Sequence, residues 1–307
     1  MKHFIDLENV GAGELEELLE LAADLKSKQR AGVAYKPLEG KILAMIFTKA
    51  STRTRASFEA GMCQLGGYPM VLSGADLQLG RGEPLSDTAR VLSRYVDAIM
   101  IRTFKQSDIE ALAQYGSVPV INGLSDDTHP CQILADLMTL KECRGGLKGA
   151  KLAYVGDGNN VANTLLQACP KLGVDISVAT PPAYACAAKY VGQAYAAAGV
   201  TGARVDIGTD PARAVGGADA VYTDTWVSMG MEADKEGRVG HFKGFEVDAA
   251  LMSKAKPGAI FLHCLPAYRG FEVSDEVIES SASRVFDEAE NRLHTQKAVL
   301  VKLLGRG

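Results

Sequence analysis

Five residues, Ser51-Thr52-Arg53-Thr54-Arg55, stand between the apolar run Ile42–Phe47 and a helical pattern in which Phe58, Met62 and Leu65 recur at i, i+4 and i+7. A helix starts at its positive end, where acidic residues are favoured. Hydroxyls and open backbone N–H groups at that end form an anion cradle. Arginine there is unfavourable unless an anion offsets it, and a bound phosphate would make Arg53 attractive. The plainer reading is an N-cap at Ser51 with Arg55 pairing Glu59 at i+4. It explains Arg55 and leaves Arg53 unexplained.

Other chemistry-bearing residues also follow apolar runs. Arg102 ends "DAIMIR", where it either pairs with an acidic neighbour or meets an oxyanion. His129 precedes Pro130 and is therefore extended; it is either a solvated loop residue or a ligand contact. Gln132, in the first turn of the helix that Pro130 opens, offers an amide to a ligand. "VGDGNNVAN" has Gly156 and Gly158 but Val161 in place of a third glycine. The next run ends in Thr180, not in an acidic residue, which argues against a dinucleotide site. Its Asn159 and Asn160 present amides instead. "DTWVSMG" puts Asp224 at a strand end, suited to an ammonium. The charge- and glycine-rich stretch after it reads as a lid or a surface loop. "FLHCLP" ends a buried run with Cys264, either an inert thiol or a site group. His263 and Cys264 find no second ligand pair spaced for zinc. Pro266 permits a cis Leu265–Pro266 bond.

The elements that must position these residues alternate. Apolar runs at Ile42–Phe47, Met70–Leu72, Ala98–Ile101 and Val118–Ile121 are separated by helical patterns near 53–65, 87–95 and 107–115. The alternation restarts with runs at Lys151–Val155, Asp175–Ala179, Arg204–Ile207, Ala220–Thr223 and Ile260–His263. An amphipathic helix with Leu15, Leu18, Leu19, Ala22 and Leu25 on one face opens the chain, and a helix over 288–307 closes it. The expected fold is α/β: two domains, each a parallel sheet flanked by helices. The domains are 1–145 and 146–287, with the closing helix packing back on the first. Ligands of open parallel sheets sit past the carboxyl ends of strands, so six polar strand ends point to one active site in the cleft between the domains.

Composition sets outer bounds. The 307 residues are 47% hydrophobic and 23% charged, as in soluble globular proteins. The net charge of −4 gives no basic field for nucleic acid or an anionic membrane. No signal peptide is expected, and no apolar run approaches the roughly 20 residues of a membrane span. Six scattered cysteines without a C-x-x-C pair point to reduced thiols in the cytoplasm.

"STRTR", "HPCQ", "DTWVSMG" and "HCLP", in this order and spacing, resemble the ornithine carbamoyltransferases, and the resemblance covers essentially the whole chain. It implies transfer of a carbamoyl group from carbamoyl phosphate to the δ-amine of L-ornithine, giving citrulline and phosphate, with no metal or organic cofactor. It implies that Ser51, Thr52, Arg53 and Thr54 cradle carbamoyl phosphate, with Gln78 reaching in from a neighbouring subunit. Arg102, His129 and Gln132 would bind the carbamoyl group and its phosphate bridge. Asn160, Asp224, Ser228 and Met229 would bind ornithine. The Cys264 thiol and the Cys264–Leu265 backbone would surround the reacting amine, and Arg292 would help to close the site. It further implies a homotrimer or an assembly of trimers, and favours arginine biosynthesis over breakdown. Carbamoyl transfer to acetylornithine, putrescine or aspartate is the rival reading, against which "SMG" and "HCLP" weigh.

Overall fold

The computed structural model describes residues 1–74, 77, 82–227 and 235–305. They form two compact units: Met1–Ala135 together with the chain from Glu290 onward, and Asp136–Ala289.

The first unit opens with α1 (Ala12–Arg30), which buries Leu15, Leu18, Leu19, Ala22 and Leu25, the face expected from its spacing. Strands β1 (Ile42–Phe47), β2 (Tyr68–Ser73), β3 (Ala98–Arg102) and β4 (Val120–Leu124) alternate with α2 (Thr52–Gln64), α3 (Leu85–Leu92) and α4 (Gln106–Tyr115). They pair in parallel in the order β2-β1-β3-β4. Helices on both faces require apolar strands, and Ala44, Ile46, Ile99, Ile101 and Val120 are fully or almost fully buried. At the β4 edge, Phe4 N–H donates to Val120 O (2.8 Å) and Phe4 O accepts from Asn122 N–H (2.8 Å), which covers that edge. The β2 edge carries the exposed Tyr68 and Met70.

The strand expected at 118–121 lies at Val120–Leu124, a correction. Its second half, Asn122-Gly123, reads as a turn, yet both residues are buried. The Asn122 amide donates to Ile5 O (2.8 Å) and Thr128 Oγ1 (2.9 Å). A Cβ on Gly123 would lie 2.6 Å from Met100 Sδ and 3.2 Å from Ile101 O, so a larger residue would force Met100 aside where the ladder slips between Ile101 and Arg102.

The chain leaves the first unit within α5 (Pro130–Arg144). The second unit holds β5 (Lys151–Val155), α6 (Asn160–Ala168), β6 (Asp175–Ala179), α7 (Ala188–Thr201), β7 (Val205–Gly208), α8 (Pro211–Val215) and β8 (Ala220–Tyr222). Then follow α9 (Lys235–His241), α10 (Ala249–Met252), β9 (Ile260–Leu262) and α11 (Asp275–Ile278). Its parallel strands run β7-β6-β5-β8-β9. Its core includes Val155, Val221, Trp226, Phe242 and Phe261. The stretch read as a lid or a loop therefore contains a helix. Phe242 (0% exposed) and Phe245 (8%) anchor that helix to the core, and glycines and charges hide its apolar spacing in the sequence. The closing helix α12 (Val285–Leu304) starts earlier than expected and carries the chain back to the first unit.

Candidate active site

Two sets of side chains gather past the strand ends, one in each unit. In the first unit Ser51 is the N-cap of α2, and its Oγ accepts from Thr54 N–H at 3.2 Å. Arg55 pairs with Glu59 (3.2 Å), as its spacing suggests. Thr52 is exposed and Arg53 half-buried on the same first turn. Thr54 is buried and turns inward. Its Oγ1 accepts from Arg292 of α12 (3.0 Å) and Arg102 of β3 (3.4 Å). Arg292 also donates to Gln132 Oε1 at 2.6 Å. So Arg102 meets a hydroxyl that it shares with a second guanidinium.

His129 is buried, which excludes the solvated-loop reading. Its carbonyl accepts the first N–H bonds of α5, from Gln132 (3.0 Å) and Ile133 (3.3 Å). Burial and the charges of Arg292, Arg102 and Lys49 hold the imidazole well below its ordinary pKa. It is a neutral donor or acceptor at physiological pH. Lys49 was not singled out from the sequence, although it lies in the loop after β1. Its ammonium is buried, pairs with Asp126 (2.9 Å) and lies 4.9 Å over the Phe104 ring. Three buried cations, one of them paired with Asp126, raise the local potential at a neutral histidine, a grouping that favours an anion.

In the second unit Asn159 caps α6 with its Oδ1, accepting from Val161 N–H (2.9 Å) and Ala162 N–H (3.3 Å). Its Nδ2 donates to Asp224 Oδ2 (2.7 Å), just after β8. The other Asp224 oxygen accepts from the Cys264 thiol (3.0 Å), just after β9. Burial, then the charge of Asp224, push that thiol well above its ordinary pKa, so it stays an S–H donor. Leu265 N–H reaches His263 Nδ1 (2.9 Å), which leaves Nε2 to donate to Glu272 Oε1 (3.3 Å). The Leu265–Pro266 bond is cis, and Leu265 takes φ +56°, a left-handed backbone rare outside glycine. The result is an acidic, hydrogen-bonded floor of Asp224 and Cys264, suited to an amine.

Gly158 has a packing role. A Cβ there would sit 2.4 Å from Cys186 N, and Gly158 N–H donates to Tyr184 O (2.8 Å). Sequence reasoning missed Arg238 of α9. It is buried, forms an ion pair with Asp157, donates to Trp226 O (2.7 Å) and lies 4.5 Å over the Tyr184 ring. Burial pushes Asp157 up to about 6 against the pull of that guanidinium. Asp224, His263 and Cys264 have ligand atoms within 4.8 Å of one another, close enough for a metal ion. Spacing alone did not reveal this trio, because Asp224 arrives from another strand. Each of its side chains is already engaged in the bonds above. Asn160 opens α6 beside Asn159. Gln78, Ser228 and Met229 lie outside the described residues.

Two parallel α/β units with polar groups gathered past their strand ends define the class: a two-domain α/β enzyme with its ligand groups at the carboxyl ends of the strands. Residues 2–142 match the carbamoyl-P binding domain of aspartate/ornithine carbamoyltransferase, and residues 148–303 match the Asp/Orn binding domain. The chain belongs to the aspartate/ornithine carbamoyltransferase family. It is 55% identical over 307 residues to the ornithine carbamoyltransferase of Caldicellulosiruptor saccharolyticus, covering 100% of both chains. The structure of the ornithine carbamoyltransferase from Pyrococcus furiosus superposes with a TM-score of 0.96 at 52% identity, covering 99% of this chain and 97% of that one. An acetylornithine transcarbamylase complexed with acetylcitrulline superposes at 0.89 with 33% identity, covering 100% of each.

Proposed function

We infer that the chain transfers the carbamoyl group of carbamoyl phosphate to the δ-amine of L-ornithine, giving L-citrulline and phosphate. The geometric observation that carries the reading is the pair of guanidinium groups converging on Thr54 Oγ1 beside a neutral, buried His129. Residues 1–145, with the closing helix, serve as the carbamoyl phosphate domain, and 146–287 as the ornithine domain.

The phosphate rests on the α2 terminus, where Ser51, Thr52 and Thr54 offer N–H and hydroxyl groups and Arg53 adds charge. Gln78 of a neighbouring subunit completes that cradle. Arg102, His129 and Thr54 face the carbamoyl oxygen, and Arg292 holds Gln132 in place. Attack by the neutral amine forms a tetrahedral oxyanion, which these donors stabilise; a single oxyanion donor is worth roughly 10²–10³ in rate. Collapse breaks the C–O bond to phosphate, which leaves as an anion into the Arg53 cradle and takes up the proton released by the amine. Asp224, Cys264 and the Cys264–Leu265 backbone orient the amine, while Asn160, Ser228 and Met229 hold the rest of ornithine.

An alkylammonium titrates near 10.4, so activity rises with pH into the alkaline range. A rate independent of pH between about 6 and 9 would overturn the neutral-amine step. The direct test is citrulline formation from carbamoyl phosphate and ornithine, run beside aspartate, putrescine and acetylornithine. Equal or greater turnover of any of the three would displace ornithine.

The working form is a homotrimer or an assembly of trimers; the apolar β2 edge, with Tyr68 75% exposed, supports a subunit contact there. Arginine biosynthesis in the cytoplasm is the setting, in keeping with six free cysteines.

A further inference from the structure

Leading into His129 is a buried set of polar side chains that the mechanism above does not use. It comprises Gln106 at the start of α4, Asn122 of β4, and Ser125 and Thr128 of the turn between β4 and α5. Thr128, the residue just before His129, is held at three atoms. Its N–H donates to Ser125 Oγ (3.1 Å), and its carbonyl accepts from Ser125 N–H (3.0 Å). Its Oγ1 accepts from the Asn122 amide (2.9 Å) and donates to Gln106 Oε1 (3.1 Å). Ser125 Oγ accepts from Asp127 N–H (3.2 Å) and donates to the same Gln106 oxygen at 2.6 Å. Gln106 Nε2 donates to Ile5 O (3.1 Å), which can only accept, and this fixes which end of the amide meets the two hydroxyls. The turn so held carries two groups of the first half-site. Asp126 N–H donates to Phe104 O (2.8 Å) while its carboxylate pairs with Lys49 (2.9 Å), and His129 follows Thr128 directly. Apolar residues of the same shape would bury without needing partners, so an interlocked polar set contributes a unique orientation more than cohesion.

We propose that Gln106 is a positioning residue for the carbamoyl phosphate half-site: its Oε1 locks Ser125 and Thr128 into one turn, which aims His129 and sets Asp126 against Lys49. This rests on reading His129 and Lys49 as groups of that half-site. Gln106 acts on them only through the turn. Its own bonds run to the two hydroxyls, to the Asn122 amide and to the chain at Ile5.

Gln106→Met keeps the length of the side chain and removes the acceptor, while Thr128→Val keeps the shape and removes the hydroxyl. Each should lower kcat/KM for carbamoyl phosphate roughly ten- to hundredfold, the size of effect that a misplacement of about 1 Å produces, with KM for ornithine at the parent value. Thr128→Ser restores the hydroxyl and should bring kcat/KM back to within about twofold of the parent. Because both losses break one linkage, the double variant should lose little more than either single variant. In the substrate-free protein the nitrogen resonances of the His129 imidazole, assigned with His129→Gln, should shift in Gln106→Met and Thr128→Val and return in Thr128→Ser. A network that only stabilises the fold would lower the urea midpoint and leave those resonances and kcat/KM in place. That result, or losses that simply add in the double variant, overturns the positioning role. If Gln106→Met does not fold, the Thr128→Val and Thr128→Ser pair decides. The resonances are read without substrate, so a parent that forms no citrulline would refute the assigned reaction and leave this test standing.

Discussion

At the scale of residues, one hydroxyl organises the first half-site. Thr54 Oγ1 accepts from two arginines, and Arg292 joins it to Gln132. A lysine cannot span both acceptors, because it lacks the planar fork. Arg292→Lys should therefore lower kcat/KM for carbamoyl phosphate by roughly 10²–10³ while moving the urea midpoint little; parent-like kcat/KM would remove Arg292 from the site. His129 offers a spectroscopic test. Burial first, then Arg292, Arg102 and Lys49, depress its pKa. A bound dianion offsets those cations, so saturating phosphate should raise the His129 pKa in an NMR titration. An unmoved resonance would place the anion elsewhere. The same depression has a stability sign. The folded state excludes the proton, so the stability contributed is present above pH 6.5 and is lost as pH falls below it.

At the scale of elements, backbone approach decides where loops carry side chains. The turn after β5 passes so close to Ala185–Cys186 that Gly158 leaves no room for a methyl group. Gly158→Ala should cost roughly 1–3 kcal/mol in urea unfolding. It should also raise the KM for ornithine, because Asn159 follows directly and touches Asp224. A variant with parent stability and KM would mean that the turn shifts freely. The same scale shows what the sequence could tell. Strand ends and the start of α2 were legible, since Ser51 is the N-cap and Arg55 pairs with Glu59 as their spacing suggests. Strand β4 was half hidden, because its Asn122-Gly123 end is buried yet spelled like a turn. Arg292 lies mid-helix among charged residues, where no local pattern marks it, and only family resemblance reached it. Lys49 and Arg238 were missed because burial of a cation is a tertiary fact.

For the whole molecule, each unit has its own parallel sheet and its own apolar core. Each buried Val, Ile or Phe contributes about 1.5–3 kcal/mol of transfer free energy, so each core favours its own unit's folding. Among the described residues, the β2 edge of the first sheet is open. Tyr68 and Met70 stand exposed there. If the proposed trimer forms through this edge, Tyr68→Glu combined with Met70→Lys should convert it to smaller species in sedimentation velocity. Loss of citrulline formation should accompany it if Gln78 acts across subunits. A double variant that still sediments as a trimer would move the contact off this edge.

Asn159 does two jobs with two atoms: its oxygen stops α6 from fraying and its nitrogen holds Asp224. Spontaneous loss of ammonia on storage would turn it into aspartate. Aspartate caps a helix equally well, so the start of α6 would persist. The nitrogen end would become a second oxygen facing the buried Asp224, at the 2.7 Å that a hydrogen bond now spans. Two carboxylates that close repel or hold a proton between them, so an ageing preparation would lose melting temperature together with its proposed hold on the amine.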